Sequence, residues 1–250
     1  MSGIPPILHQ TWRSTALPAD FARWRDGWVK RHPRWEHRLH DDAACQELVD
    51  EVGGPWPELY RRLERPVQRA DVFRYLVVWV HGGVYADLDM ESYRPIDPLL
   101  EGAGCVLSVE AHLTEAFRRE LGYRERRQLA NCIFAAEPRH PFLGALLDHL
   151  AARGTFGAPD DAAVEDTTGP RMLTRFFESL PAAARATVRV LPQVFLMAPR
   201  VPRLPLVGPP AFARHHCAGT WRSASRQPSL KRLWIERNLR PPLWPRVPSP

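Results

Sequence analysis

Residues 66–89, PVQRADVFRYLVVWVHGGVYADLD, constrain the fold more than any other stretch. Proline is tolerated in the first turn of a helix, and the apolar run that follows reaches about Val80 before His81-Gly82-Gly83 stops it. The segment therefore predicts a long helix from about Pro66 to about Val80. "VYADLD" then reads as a short buried strand that ends on two carboxylates, Asp87 and Asp89. A strand packed on both faces avoids charge, because an unpaired buried carboxylate loses its hydration without compensation. Something must hold these two.

The same alternation runs along the chain. Ile4 to Trp12 predicts a first strand, and the segment after Pro18 a helix with Phe21, Trp24 and Trp28 on one face. WEHRLHD (35–41) alternates like a second strand, and DAACQELVDEVGG predicts a helix closed by Gly53 and Gly54. After the D-x-D, RPIDPLL reads as a loop, GCVLSVE as a strand and residues 111–130 as an exposed helical insertion. NCIFAAEP predicts a strand, HPFLGALLDHLAARG a helix, 153–167 a mobile loop, TGPRMLTRFFESL a turn and helix, and TVRVLP one more strand. Proline recurs between Leu191 and Pro210, which predicts an extended, irregular stretch. The expected class is α/β: a Rossmann-like, mainly parallel sheet flanked by helices in a single domain over 1–240. PPLWPRVPSP (241–250) reads as a Pro-rich, polyproline-like C-terminal tail.

At 250 residues, with 44% hydrophobic and 25% charged residues, the chain can bury one complete core. The net charge of +6 comes almost wholly from arginine, since Lys30 and Lys231 are the only lysines. Arginine binds phosphate through a planar fork, which suits an anionic ligand. The arginines are dispersed, and no zinc-finger spacing, RNP-like pattern or basic zipper is present, so nucleic acid is not the expected partner. Cys45, Cys105, Cys132 and Cys217 form no C-x-x-C pair and are expected as reduced thiols, which fits a cytoplasmic protein. The N-terminus lacks a signal-peptide pattern, and the longest apolar stretch, Tyr75 to Val80, is too short to cross a bilayer. No transmembrane segment is expected, and peripheral contact with a membrane is compatible with the charge.

On a regular strand, residues i and i+2 share a face, so Asp87 and Asp89 are expected to aim at one side of the sheet edge. A hard cation bridging them to an incoming phosphate is one reading, because Mg²⁺ and Mn²⁺ take few protein carboxylates plus substrate oxygens. A turn, or pairing with an arginine such as Arg94, is the other. Asp71 and Arg74 stand at i, i+3 on the preceding helix among Val72, Phe73, Leu76, Val77 and Val78. That spacing fits either an ion pair or a site, and Gly82 and Gly83 allow a close backbone approach.

Five ordered blocks, IPPILHQTW, ADVFRYLVVWVHGGVYADLD, NCIFAAEPRHPF, TGPRMLT and HHCAGTW, resemble the D-x-D sugar transferases of glycosyltransferase family 32. These include fungal Golgi mannosyltransferases, and the core is similar to the glucosylating domain of large clostridial toxins. The resemblance implies a GT-A fold and a nucleotide-diphosphate sugar donor held with Mn²⁺ or Mg²⁺. It implies Asp89 as a direct metal ligand and Asp87 as a ligand through water or a contact to ribose and sugar. Asp71 would bond donor-sugar hydroxyls, and Arg74 would steady sugar and diphosphate. His9, Gln10 and Trp12 fall where the first strand meets the nucleotide, Trp12 stacking on the base, and Tyr85 joins the donor-binding set. Asn131 lies under the donor sugar, His216 supplies a further metal ligand with His215 as the adjacent alternative, and Trp221 touches the leaving diphosphate. Ala70 replaces a serine common in relatives, which bears on donor identity.

The implied reaction is a retaining transfer of a hexose to an acceptor hydroxyl on a glycan, glycolipid or small molecule, from a donor of UDP-glucose, UDP-galactose or GDP-mannose type. A D-x-D phosphohydrolase would need a downstream lysine and Thr or Val two residues beyond the second aspartate; the continuation here is Met90-Glu91. A nucleotide-sugar-binding module without turnover is the remaining alternative, opposed by the intact Asp71, Arg74, Asp87 and Asp89.

Overall fold

The computed structural model describes residues 3–154, 156–157, 160–197 and 211–222. β1 (Ile7–Thr11) leads into α1 (Ala19–Arg31), which starts directly after Pro18 and buries Phe21, Trp24 and Trp28 as their spacing predicts. β2 (Glu36–His40) follows, then α2 (Asp42–Val52), where Asp41 Oδ1 accepts the Ala44 N–H at 2.9 Å and Gly53 at φ 66° ends the helix. A short helix that the sequence reading did not mark, α3 (Trp56–Arg62), buries Trp56, Leu59 and Tyr60.

α4 (Pro66–His81) runs almost wholly buried into β3 (Gly83–Ala86). The glycines between them are required by crowding. A Cβ on Gly82 would stand 2.6 Å from Pro138 Cδ, and one on Gly83 would stand 2.6 Å from the Ile7 carbonyl oxygen, with φ at 67° and 96°. Their close approach is thus to β1 and the 138 turn, at the end of β3 away from the aspartates.

Beyond β3 come β4 (Met90–Ser92), α5 (Asp97–Leu100), β5 (Cys105–His112), α6 (Glu115–Glu120), β6 (Arg127–Leu129), β7 (Ile133–Ala136) and α7 (Pro141–Arg153). The chain continues with α8 (Asp161–Thr167), α9 (Pro170–Ser179), α10 (Ala182–Arg185), β8 (Arg189–Leu191), α11 (Gln193–Leu196) and β9 (Ala213–His215). Seven strands form one sheet in the order β2-β1-β3-β7-β5-β6, with β8 beside β5. β1, β2, β3, β5 and β8 run one way and β6 and β7 the other, so the sheet is mainly parallel in direction. Each face carries an apolar layer. One gathers Tyr75, Tyr85 and Phe134 with α4, α7 and α9, and the other gathers Leu8, Trp28 and Val84 with α11. β4 and β9 pair antiparallel as a separate two-stranded ribbon.

The structure corrects several expectations. The loop expected at 94–100 contains α5. The insertion at 111–130 is helical only over α6; it returns as β6 and buries Tyr123 and Leu129. The mobile loop expected at 153–167 contains α8, which Asp160 caps by accepting the Ala163 N–H at 2.9 Å and which buries Val164 and Thr167. Seven residues are too few to display a helical period. The irregular stretch after Leu191 begins with α11; the rest of it, 198–210, and the Pro-rich tail at 241–250 lie outside the described residues.

Candidate active site

The site forms at the carboxyl end of β3, where α/β sheets place ligands. It begins inside α4. Asp71 and Arg74, one turn apart, form an ion pair at 3.0 Å with side chains 4% and 6% exposed. Asp71 Oδ1 also accepts from Asn131 Nδ2 at 2.9 Å, and Oδ2 accepts from Thr168 Oγ1 at 2.8 Å. Arg74 Nη1 donates to the Asn131 carbonyl at 3.1 Å, and Nη2 reaches Asp87 Oδ1 at 3.2 Å. Burial pushes the Asp71 carboxyl up to about 6 against the pull of Arg74. Burial likewise opposes the Arg74 cation, but Asp87 and then its other neighbours hold it firmly protonated. Thr168 is the first residue of the block TGPRMLT, where the sequence points to a turn but not to a site residue; its side chain completes the Asp71 shell.

Tyr85 lies on the same face of β3 as Asp87. Its hydroxyl donates to Asp87 Oδ1 at 2.8 Å and meets Thr11 Oγ1 at 3.1 Å, and Arg74 lies 4.9 Å above its ring. β3 ends at Ala86, so the D-x-D is a turn closed by Met90 N–H donating to the Asp87 carbonyl at 2.9 Å, not two residues of a regular strand. The turn still brings the carboxylates together. Asp89 Oδ1 is 3.2 Å from His215 Nε2, and Asp89 Oδ2 accepts the Ala218 N–H at 2.8 Å. Ligand atoms of Asp87, Asp89 and His215 all lie within 4.8 Å of one another. Their side chains are 26%, 12% and 16% exposed, open enough to meet a ligand.

Their protonation differs by surroundings. Burial raises the Asp87 carboxyl despite Arg74. Burial also acts on Asp89, but the His215 ring and the Ala218 N–H outweigh it and hold that carboxyl below the usual range. His215 titrates above the ordinary histidine range although burial opposes its cation. The adjacent Cys132 thiol, which burial pushes up to about 12, is neutral near pH 7, so the Asp89 carboxylate supplies the attraction.

Of the two histidines expected as alternatives for the metal ligand, the structure brings His215 rather than His216 to Asp89. β9 pairs with β4 so that His215 faces Met90 across the ribbon, directly after Asp89. Side chains alternate along a strand, so His216 turns the other way. It stacks on Trp24 at 4.1 Å between ring centroids and meets Glu91 Oε2 at 2.8 Å.

The expected nucleotide contacts divide between two faces of β1. His9 shares the α4 face with Tyr85 and is fully buried. Its Nε2 donates to the Gly82 carbonyl at 3.0 Å, so Nδ1 accepts from His40 Nε2 at 3.1 Å. That position makes His9 a core residue at the far end of β3. Gln10 is buried on the opposite face, and Trp12 meets Phe21 edge-on at 4.9 Å. Gln10 Nε2 and Trp12 Nε1 are buried without a hydrogen-bond partner among the described residues. Trp221 lies against the start of α4, 6.0 Å from the Arg65 guanidinium.

Residues 18–104, which include α4 and the D-x-D turn, match the family described as glycosyltransferase sugar-binding region containing DXD motif. Over that stretch the chain is similar to these DXD glycosyltransferases. The chain is 27% identical over 241 residues to inositol phosphoceramide mannosyltransferase 1 of Schizosaccharomyces pombe, covering 95% of this chain and 67% of that one. It is 27% identical to a mannosyl phosphorylinositol ceramide synthase of Saccharomyces cerevisiae, over 75% of this chain and 46% of that protein. It thus spans about two thirds of the first relative and about half of the second. Among solved structures the chain resembles the PaToxG glycosyltransferase with a TM-score of 0.50 at 16% identity, covering 70% of this chain and 69% of that one. That likeness agrees with the GT-A fold.

Proposed function

We propose that this chain moves a hexose from a nucleoside diphosphate sugar to an acceptor hydroxyl, with Asp87, Asp89 and His215 holding Mn²⁺ or Mg²⁺. The observation that carries the reading is the convergence of those three ligand atoms within 4.8 Å at the end of β3, beside the buried Asp71–Arg74 pair. Two carboxylates and one imidazole leave coordination positions for phosphate oxygens, as hard cations at phosphate sites require. The unpartnered Gln10 Nε2 and Trp12 Nε1 supply buried donors that a polar base edge would satisfy.

The bound cation would offset the negative charge that develops on the departing diphosphate. Arg74, charged and fixed by Asp71 and Asp87, adds a preorganised positive group at the same place. Asn131 and Asp71, locked by their mutual hydrogen bond, present a polar floor to the sugar hydroxyls. Anomeric configuration would be retained, the acceptor hydroxyl attacking on the leaving-group side.

The relatives named as mannosyltransferases favour mannose, and hence GDP-mannose, as donor. The same names favour an inositol-bearing sphingolipid headgroup as acceptor. Among the described residues no helix is long and apolar enough to cross a membrane, so such a headgroup would be met at the bilayer surface, where the net charge of +6 favours anionic lipid. The proposed compartment is the cytoplasm, in keeping with four cysteines that form no disulfide.

The test is release of nucleoside diphosphate from GDP-mannose, UDP-glucose and UDP-galactose in the presence of Mn²⁺. One donor should be hydrolysed, with activity falling by about 100-fold or more in Asp89→Ala or with chelator. Equal hydrolysis by Asp89→Ala, or no nucleotide binding by calorimetry, sinks the assignment.

A further inference from the structure

The segment that carries His215 and Trp221 is pinned at two places. At one, β9 pairs with β4, and the N–H groups of His216 and Ala218 donate to the carbonyl and the carboxylate of Asp89 at 2.9 and 2.8 Å. At the other, Arg65 Nη2 donates to the Trp221 carbonyl at 3.2 Å and to Asp161 Oδ1 at 2.9 Å. Arg65 is the residue that precedes α4, and its own N–H is held by Gln68 Oε1 at 3.3 Å. Gln68 in turn donates to the Phe156 carbonyl and to Thr167 of α8. The next strap residue, Arg222, reaches Glu165 of α8 at 3.4 Å, with its guanidinium 5.2 Å from the Trp221 ring.

We propose that Arg65 is a positioning residue that docks the 213–222 strap onto the start of α4 and onto α8, and so fixes Trp221 beside α4 and steadies His215 at Asp89. The planar fork suits this task, because one guanidinium bonds a carboxylate and a backbone carbonyl at once. The geometry also explains why a cation stands at a helix N-terminus, where the helix dipole disfavours it. Asp161 and the Trp221 carbonyl supply the compensation. Because α4 also bears Asp71 and Arg74, one helix sets both the floor of the site and the strap across it. The contribution to donor binding rests on the proposed donor site; the docking itself does not.

Hydrogen exchange of the ligand-free protein tests the docking. Arg65→Ala should speed exchange of the His216 and Ala218 amides about ten-fold, the scale of a lost charged hydrogen bond, while amides of β1 and β3 stay unchanged. Arg65→Lys keeps the charge but not the fork and should shift the same amides in the same direction by less, which covers the case in which the alanine variant fails to fold. Unchanged exchange at those amides within two-fold in both variants overturns the proposal, as does a rise spread equally over β1 and β3. Calorimetry with Mn²⁺ and GDP or UDP adds the functional readout. A wild type that binds neither nucleotide, yet shows the localised exchange change on substitution, removes the donor-site reading and upholds the strap. Nucleotide binding weakened about ten-fold by Arg65→Ala upholds both.

Discussion

Asp71 and Asp89 belong to one site, yet their surroundings are opposite. Asp71 is buried, both oxygens bonded, in a set that α4 begins through i, i+3 spacing with Arg74 and that Asn131 and Thr168 close. Asp89 stands on an open rim whose third member, His215, comes from far along the chain and arrives through a three-residue ribbon. The buried set is nearly closed before any ligand arrives: its polar groups pair with one another, apart from Arg74 Nε, which is buried without a hydrogen-bond partner among the described residues. The rim side chains Asp87, Asp89 and His215 keep 26%, 12% and 16% of their surface exposed. Buried groups should therefore report mainly in stability, and rim groups mainly in ligand binding.

Arg74→Ala puts the largest strain on that division. It leaves Asp71 and Asp87 buried without their shared cation, so the fold should lose about 3–5 kcal/mol, read as a lower urea midpoint at unchanged slope. Arg74→Lys should recover part of this, since a point charge cannot bridge both carboxylates. A stability loss as large from Asp89→Asn would break the comparison, because it would make the rim part of the scaffold.

The same division governs what could be read from sequence. α4 and β3 were legible because a sixteen-residue helix has room to show its proline start, apolar pattern and glycine stop. Asp71 and Arg74 were visible as charges inside that apolar run. β4 and β9 have three residues each, too short for any period, and their pairing joins positions 90 and 215. Which of His215 and His216 faces Asp89 depends on that register alone, so the histidine choice could not be made locally. His9 was misplaced for a related reason: it sits in a sequence block suited to a nucleotide, but the partner register of β1 and β3 puts it on the face that α4 covers. Strand alternation could have shown that His9 and Gln10 face opposite ways, though not which way was inward.

Paired histidine substitutions sharpen the rim assignment. His215→Ala should weaken Mn²⁺ binding, in the presence of nucleotide, by about 100-fold, an effect on the scale of disrupting a metal's coordination sphere. His216→Ala should leave that affinity within a few-fold and cost about 1 kcal/mol through the lost stack on Trp24. The reverse pattern would mean that the β4–β9 register in solution is shifted by one residue.

The smallest effect tests the buried side away from the site. His9 and His40 form a bonded pair beneath α4, with His40 against Phe73. Burial, followed by the charge of His40, pushes His9 down to about 3; burial, followed by Arg38, pushes His40 down to about 4. In the unfolded chain both protonate near 6.5, so between that pH and about 4 unfolding takes up protons that the fold refuses. Stability from this pair is therefore complete above pH 6.5 and is lost as pH falls through that window, at about 1–2 kcal/mol per pH unit. Urea midpoints between pH 7 and 5 should fall accordingly, and His40→Gln should flatten the slope. A slope unchanged by that substitution would assign the acid sensitivity to the carboxylates instead, and the His9–His40 pair would then contribute to packing without contributing to the pH dependence.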